Sequence, residues 1–164
     1  MSQSPTTVAV LQIPDSLRIA PRVLCHATSL RKATRRISQL YDSVLAPCGL
    51  RSTQRSILIQ VARNQSPAVT ELAAILVIDR SALAQNLKPL EREGLISVEV
   101  DPQDKRSRRV RLTQAGLDKL LESQVLWEQA QQCFEKSLGR QQACELRELL
   151  AKVAALDYGD DCSA

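Results

Sequence analysis

One stretch of this chain limits what it can fold into more than any other. It runs from Thr70 to Thr113 and joins segments of different periodicity. Leu72, Ala73 and Leu76 make a short apolar helical segment. A tight connection at Val77-Ile78 leads to Asp79, whose carboxylate can accept from the free N–H groups that open a helix. In the helix that follows, Leu83, Leu87 and Leu90 recur at i, i+4 and i+7, which is one buried face. Arg80, Ser81, Gln85 and Lys88 occupy the other face. Gly94 stands where a helix ends on a residue of positive φ. Ile96, Val98 and Val100 then alternate with Ser97, Glu99 and Asp101, the period of a strand. Asp101-Pro102-Gln103-Asp104 is turn chemistry. Arg108 to Thr113 resumes the alternation, with Val110 and Leu112 inward and Arg109 and Arg111 outward. A helix-turn-helix running straight into a basic-tipped hairpin is the pattern of a winged helix.

Charge is distributed to match. The hairpin from Asp101 to Thr113 carries five basic and two acidic side chains. Residues 22–63 hold eight basic residues against one acidic, whereas 114–164 hold five against nine. A molecule polarised in this way turns one side toward a polyanion. Aromatics are only 2% of the chain, which argues against stacking on single-stranded bases. The side chains opposite the leucine stripe are types that reach phosphates and base edges of a duplex.

The run Asp104, Arg106, Val110, Leu112 and Thr113 (D-x-R-x-x-x-V-x-L-T) resembles the wing signature of the multiple-antibiotic-resistance regulator (MarR) family. The upstream E-L-A-x-x-L-x-I-D and L-E-R-E-G-L-I segments fit the same family, and the resemblance extends over roughly residues 24–156. It implies a homodimeric regulator of transcription, a repressor, on a pseudo-palindromic operator of double-stranded DNA. Arg80, Ser81, Gln85 and Lys88 would then enter the major groove and Arg106 the adjacent minor groove, flanked by Lys105 and Arg108. Asp104 would brace the wing by holding Arg106 or Arg108. The chain departs from the family at several places. Val77 replaces a turn glycine, and Pro89 lies inside the recognition helix. Arg51 stands where a capping threonine is usual, and near a helix N-terminus it is a candidate phosphate contact.

The expected fold class is mainly α with a small β-hairpin wing: a winged helix-turn-helix domain plus a helical dimerisation lobe. Residues 1–21, with Pro5, Pro14 and Pro21, read as a flexible arm, and 22–50 as the first helix of the lobe. The winged domain occupies 51–113 and the C-terminal dimerisation helices 114–157, leaving a frayed tail over 158–164. Arg31, Lys32, Arg35 and Arg36 crowd one side of the first helix, either as a solvated face or as part of a positive field. Leu117, Leu120, Leu121, Val125 and Leu126 mark the buried face of the first C-terminal helix, and Leu146, Leu149, Leu150, Val153 and Leu156 that of the second.

Arg55 stands at a position that is usually apolar in the family. Either it turns outward against Glu122 or Glu128, or it projects into a crevice to anchor a small anionic aromatic effector. The resemblance implies such a site between lobe and winged domain, and Tyr41 and Trp127 are on helices that would line it. Cys25, near the start of the first helix, raises the reading of a redox-sensing repressor, against a quiet structural thiol.

Other classes find little support. There is no Gly-rich phosphate loop, no H-E-x-x-H and no G-x-S-x-G, so neither an enzyme nor a cofactor is expected. His26 and Cys25 are sequence neighbours that a helix points about 100° apart, which makes a poor catalytic dyad. Five cysteines without a C-x-x-C, beside one histidine, make a zinc site improbable. No signal peptide and no membrane-length apolar run is visible, so a cytoplasmic protein is expected. A winged helix serving only as a protein-interaction module is the alternative. Burying Lys105, Arg106 and Arg108 in a protein interface would be costly, which argues against it.

Overall fold

The structure, a computed structural model, describes residue 12 and residues 25–157. The N-terminal arm, residue 12 excepted, and the C-terminal tail expected from sequence lie outside the described residues. The chain falls into two compact units, 1–36 and 37–164, which divide inside the first helix. That helix, α1, is His26–Leu45, and a 3-10 turn, Ala46–Cys48, closes on Gly49 at φ 74°. In the first unit, the Ser29 N–H donates to the Cys25 carbonyl at 3.0 Å and Arg31 to Arg36 are exposed.

The second unit continues with α2 (Ser52–Arg63), α3 (Val69–Leu76) and α4 (Arg80–Arg92). The hairpin β1 (Ile96–Val100) and β2 (Arg108–Leu112) follows, then α5 (Gln114–Leu138) and α6 (Arg140–Ala154). The two strands pair antiparallel with Val98 opposite Val110. Arg51 caps α2 only by position. A guanidinium cannot accept, so the helix start is closed by Gln54, whose Oε1 takes the Arg51 N–H at 2.9 Å. Glu71 does the same for Ala68 at 2.8 Å at the start of α3. Asp79 also occupies its N-cap position, but its side chain makes no cap hydrogen bond, contrary to the expectation.

Leu83, Leu87 and Leu90 are all buried, against Leu45, Leu58, Val61 and Leu72 in one core. Each leucine removed from water contributes roughly 1.5–3 kcal/mol, so the stripe fixes which way α4 faces. Two successive helices end in the same way. At the end of α4, Leu95 donates to the Leu90 carbonyl and Gly94, at φ 71°, to that of Glu91. At the end of α3, Ile78 donates to Ala73 and Val77 to Ala74, both at 3.1 Å. This is the Schellman pattern, with a valine at φ 52° in the place that glycine holds in α4.

The lower end of the wing is fixed to α5. Thr113 accepts from the Gly116 N–H at 3.0 Å, donates its hydroxyl to the Gly94 carbonyl at 2.6 Å and its N–H to Leu95 at 3.2 Å. A Cβ on Gly116 would lie 1.9 Å from the Leu95 carbonyl oxygen, so α5 can start here only on glycine.

The expected buried faces of α5 and α6 are covered only in part within the chain. Leu120 is buried and Leu126 and Leu146 half-buried, whereas Leu117, Leu121, Val125, Leu149, Leu150, Val153 and Leu156 are exposed. The reason is spatial. α5 packs against α2 and α6, and among the described residues Leu117, Leu121 and Val125 stay outside those contacts.

Val77 is 70% exposed and packs little, so its cost is mostly backbone. A left-handed conformation costs a β-branched residue about 1–2 kcal/mol, of which glycine's extra freedom when unfolded returns about 0.5–1 kcal/mol. Val77→Gly is expected to raise the midpoint of thermal unfolding by about 2 °C, whereas Gly116→Ala lowers it by several degrees. Calorimetry of the two variants checks both signs.

Candidate DNA interface

Burial of the leucine stripe leaves Ser81, Gln85 and Lys88 exposed on the far side of α4, with Arg80 at its first turn. Arg92 is exposed too and falls on the same side, since positions 81, 85, 88 and 92 recur at helical spacing. The sequence reading passed over Arg92, although that spacing carries the signal. Pro89 lies within α4 and has no N–H for the Gln85 carbonyl, yet the helix continues to Arg92.

The wing brings its cations back toward this helix. A groove of about 400 Å³ is lined by Arg80 from α4, Val69 and Thr70 from α3, and Asp104, Arg106, Ser107 and Arg108 from the hairpin tip. Three guanidinium-bearing residues thus border one solvent-open groove. Lys105 is exposed beside them. Among the described residues, Arg80, Lys88, Lys105, Arg106 and Arg108 enter no ion pair. The remaining wing arginines are paired. Arg111 meets Glu99 at 3.1 Å, and Arg109 meets Asp101 at 2.6 Å. The positive field is therefore concentrated at the tip rather than spread along the hairpin, which suits a phosphate-lined groove.

The brace assigned to Asp104 is corrected in kind. Its Oδ1 accepts the backbone N–H of Arg106 at 3.0 Å, a turn contact, and holds no guanidinium. At the hairpin tip it is Asp101 that holds an arginine. One of its oxygens accepts from the Gln103 N–H at 2.9 Å and the other from Arg109 Nε. These donors, Gln103 first, keep the Asp101 carboxyl below its ordinary pKa. A lowered carboxylate stabilises the fold fully above its unfolded value and loses that contribution only as the pH falls through the folded one. The wing turn is therefore insensitive to pH across the neutral range. Arg109, expected to point outward, is half-buried, because Asp101 and the Ser66 carbonyl draw it down.

Arg51 is exposed at the start of α2. The neighbouring Ser52 N–H already donates to Asp42 Oδ1 at 2.7 Å, so a carboxylate occupies part of that helix end.

Arg55 is 6% exposed and does not turn outward to Glu122 or Glu128. Glu122 is taken by Lys119, and Glu128 accepts from Gln124. Instead, Arg55 Nε donates to Ser123 Oγ at 3.1 Å, Nη2 donates to Gln124 Oε1 at 2.7 Å, and the guanidinium lies 4.7 Å from the Trp127 ring centre. Burial lowers its pKa, opposed chiefly by Cys48. The residue borders a cleft of about 250 Å³, with Leu45, Ser52, Ser56, Ile59 and Arg63 on one side and Gln124 and Trp127 on the other. Both charged residues in that lining are arginines. Tyr41 does not join it, because its hydroxyl donates to Gln131 farther along α5.

A helix-turn-helix whose outer face and wing tip carry unpaired cations defines the class, a winged helix-turn-helix protein. The sequence profile of the MarR family matches residues 50–107. Among solved structures, the transcriptional regulator MosR of M. tuberculosis in complex with DNA is 31% identical, with a TM-score of 0.68, and the match covers 80% of this chain and 99% of that one. The repressor CouR bound to a 23-mer DNA duplex is 26% identical, with a TM-score of 0.72 over 89% of this chain and 99% of that one. A mutant MarR from E. coli complexed with operator DNA shares the fold at 22% identity, with a TM-score of 0.71 over 87% of this chain and 99% of that one. No curated protein matches by sequence. The chain belongs to the MarR family, and it is a DNA-binding transcriptional regulator rather than an enzyme. No helix of the described residues is long and apolar enough to cross a membrane, and no group of three or more metal-ligating side chains occurs among them.

Cys25 lies exposed just ahead of α1, and Thr28 and Ala27 donors lower its thiol pKa. Cys133 and Cys144 are also exposed, and Cys48 is buried with its thiol donating to the Leu45 carbonyl. Thiolate content governs alkylation. Iodoacetamide at neutral pH is therefore expected to label Cys25 ahead of Cys133 and Cys144, and Cys48 last, as timed mass spectrometry of peptides will register.

Proposed function

We propose that this chain is a homodimeric repressor that reads a pseudo-palindromic site on double-stranded DNA and releases it when a small anionic effector binds. The observation that carries the reading is the set of unpaired cations shared by α4 and the wing. Arg80, Ser81, Gln85 and Lys88 enter the major groove, and Arg106 enters the adjacent minor groove with Lys105 and Arg108 on the phosphates beside it. Arg51 is a further phosphate contact. The DNA-bound states of MosR and CouR support duplex DNA as the partner. The exposed apolar side chains of α5 and α6 support a second copy of the chain as the dimer partner, because a stripe of that size is seldom left in water.

Each DNA contact has its own signature. Arg106→Ala is expected to weaken operator binding by more than tenfold, through loss of a charge-assisted contact in a narrow and strongly negative groove. Gln85→Ala relaxes sequence preference, whereas Lys88→Ala lowers affinity for all sequences and flattens the salt dependence by about one unit of slope. The half-sites are expected about 10 base pairs apart, the spacing a two-fold dimer imposes. Footprinting and gel shifts on the DNA flanking the chain's own gene provide the measurements. An Arg106→Ala protein that binds as tightly as the parent would remove the wing from the interface.

The effector site is the cleft beside Arg55. A buried guanidinium that meets only neutral acceptors and an indole retains most of its attraction for an anion. A flat carboxylate could accept from Arg55 and Arg63 while its ring rests against Trp127. DNA release by a series of aromatic carboxylates is expected to disappear in Arg63→Leu and in Arg55→Leu. Release unchanged by both substitutions would place the effector elsewhere.

A further inference from the structure

Arg109 does more than an arginine in an exposed hairpin needs to. It sits in β2 opposite Glu99, yet it ignores that carboxylate, which pairs with Arg111. Its Nε donates to Asp101 Oδ2 at 2.6 Å and its Nη1 to the Ser66 carbonyl at 3.0 Å. Those two acceptors belong to different parts of the fold. Asp101 closes the wing tip: its N–H donates to the Ser107 carbonyl at 3.0 Å, and Oδ1 holds the Gln103 N–H. Ser66 belongs to the loop between α2 and α3, where Gln65 and Ser66 stand at φ 48° and 73°. Positive φ is uncommon for such residues. Here it precedes the segment in which Pro67 accepts from the Val110 N–H at 3.0 Å and Ala68 bridges to Arg109. One guanidinium thus joins the tip of the wing to the loop that leads into the helix-turn-helix.

We propose that Arg109 is a positioning residue: by clamping Asp101 and the Ser66 carbonyl together, it holds Arg106 and Arg108 at the angle from which the wing engages DNA. Arg106 and Arg108 lie on the short segment between Asp101 and Arg109, which is shaped further by turn contacts such as Ser107 N–H to the Asp104 carbonyl at 2.8 Å. A two-stranded hairpin has little stability of its own, so its direction depends on what ties its base. A planar guanidinium fork suits this task, since its rigidly spaced donors hold the two acceptors in one plane. Arg109 commits its Nε and Nη1 donors inside the protein and is not counted among the DNA contacts. The inference rests on the proposed engagement of DNA by Arg106.

The test is a double-mutant cycle read by fluorescence anisotropy, on a duplex selected from a random library by the purified protein. Arg109→Met is expected to weaken binding at least tenfold. Arg106→Ala, costing more than tenfold in the parent, is expected to cost less than threefold in the Arg109→Met background, because a misdirected wing has little contact left to lose. An equal cost in both backgrounds would refute the clamp, whereas an Arg106→Ala protein that binds like the parent would refute the wing contact instead. Arg109→Lys separates positioning from a direct phosphate contact. A lysine would restore the second but cannot reproduce the fork, so it is expected to stay at least fivefold weaker, and full rescue overturns the proposal. Should Arg109→Met fail to give the parent's circular dichroism, Asp101→Asn replaces it in the cycle, with the same expected loss of coupling and the same refutation by equal costs.

Discussion

The burial of Leu83, Leu87 and Leu90 is the constraint on which the rest of this molecule depends. Three leucines on one side of a 13-residue helix leave it a single stable rotation about its axis. That rotation sends Ser81, Gln85, Lys88 and Arg92 outward together. No polar contact within the protein is needed to aim them, which leaves their donors and acceptors for a partner. The cost of exposing even one of the leucines exceeds that of a typical surface ion pair, so DNA can draw on the outer face without rotating the helix. An apolar stripe thus determines which polar side chains α4 presents outward.

Two local penalties are carried just before and within that helix. Val77 holds a left-handed turn that glycine would hold with less strain, and Pro89 leaves the Gln85 carbonyl without its helical N–H. Both sit at exposed or half-exposed positions, where the freed polar groups are open to water and the side chains displace little of the core. The core absorbs them because its contacts come from α2, α3, β2 and α5 at once. The one place where no slack exists is Gly116, where α5 meets the Leu95 carbonyl and ties the wing to the long helix.

Much of the fold was legible from residue spacing, although the alternation of β1 fails at its end, where Val100 is exposed and Asp101, drawn in by Gln103 and Arg109, is buried. The buried stripe of α4 follows from spacing alone. Legibility failed where one element meets another. Nothing in the alternation of β2 separates Arg109 from Arg111, yet one reaches the α2–α3 loop and the other pairs across the hairpin. Asp79 and Arg51 show the same limit at helix ends: position identifies the cap, but not whether the side chain bonds there. The stripes on α5 were legible as apolar, but sequence could not tell burial inside the chain from exposure at its edge.

Arg55 shows how such a failure can point to function. By composition alone, a charged residue in α2 should seek water or a carboxylate, and α5, which packs against α2, offers Glu122 and Glu128. The helix phases deny both. Ser123 lies over Arg55 where the glutamates do not, and Trp127, one turn on, covers its face. Cation–π contact and two neutral acceptors offset part of the desolvation, roughly 0.5–2 kcal/mol for the ring alone, and Glu128 attracts the guanidinium through space without pairing with it. A buried cation left in that condition is a cost that a well-packed leucine would remove. Arg55 and Arg63 leave the cleft beside them bordered by two cations and no carboxylate.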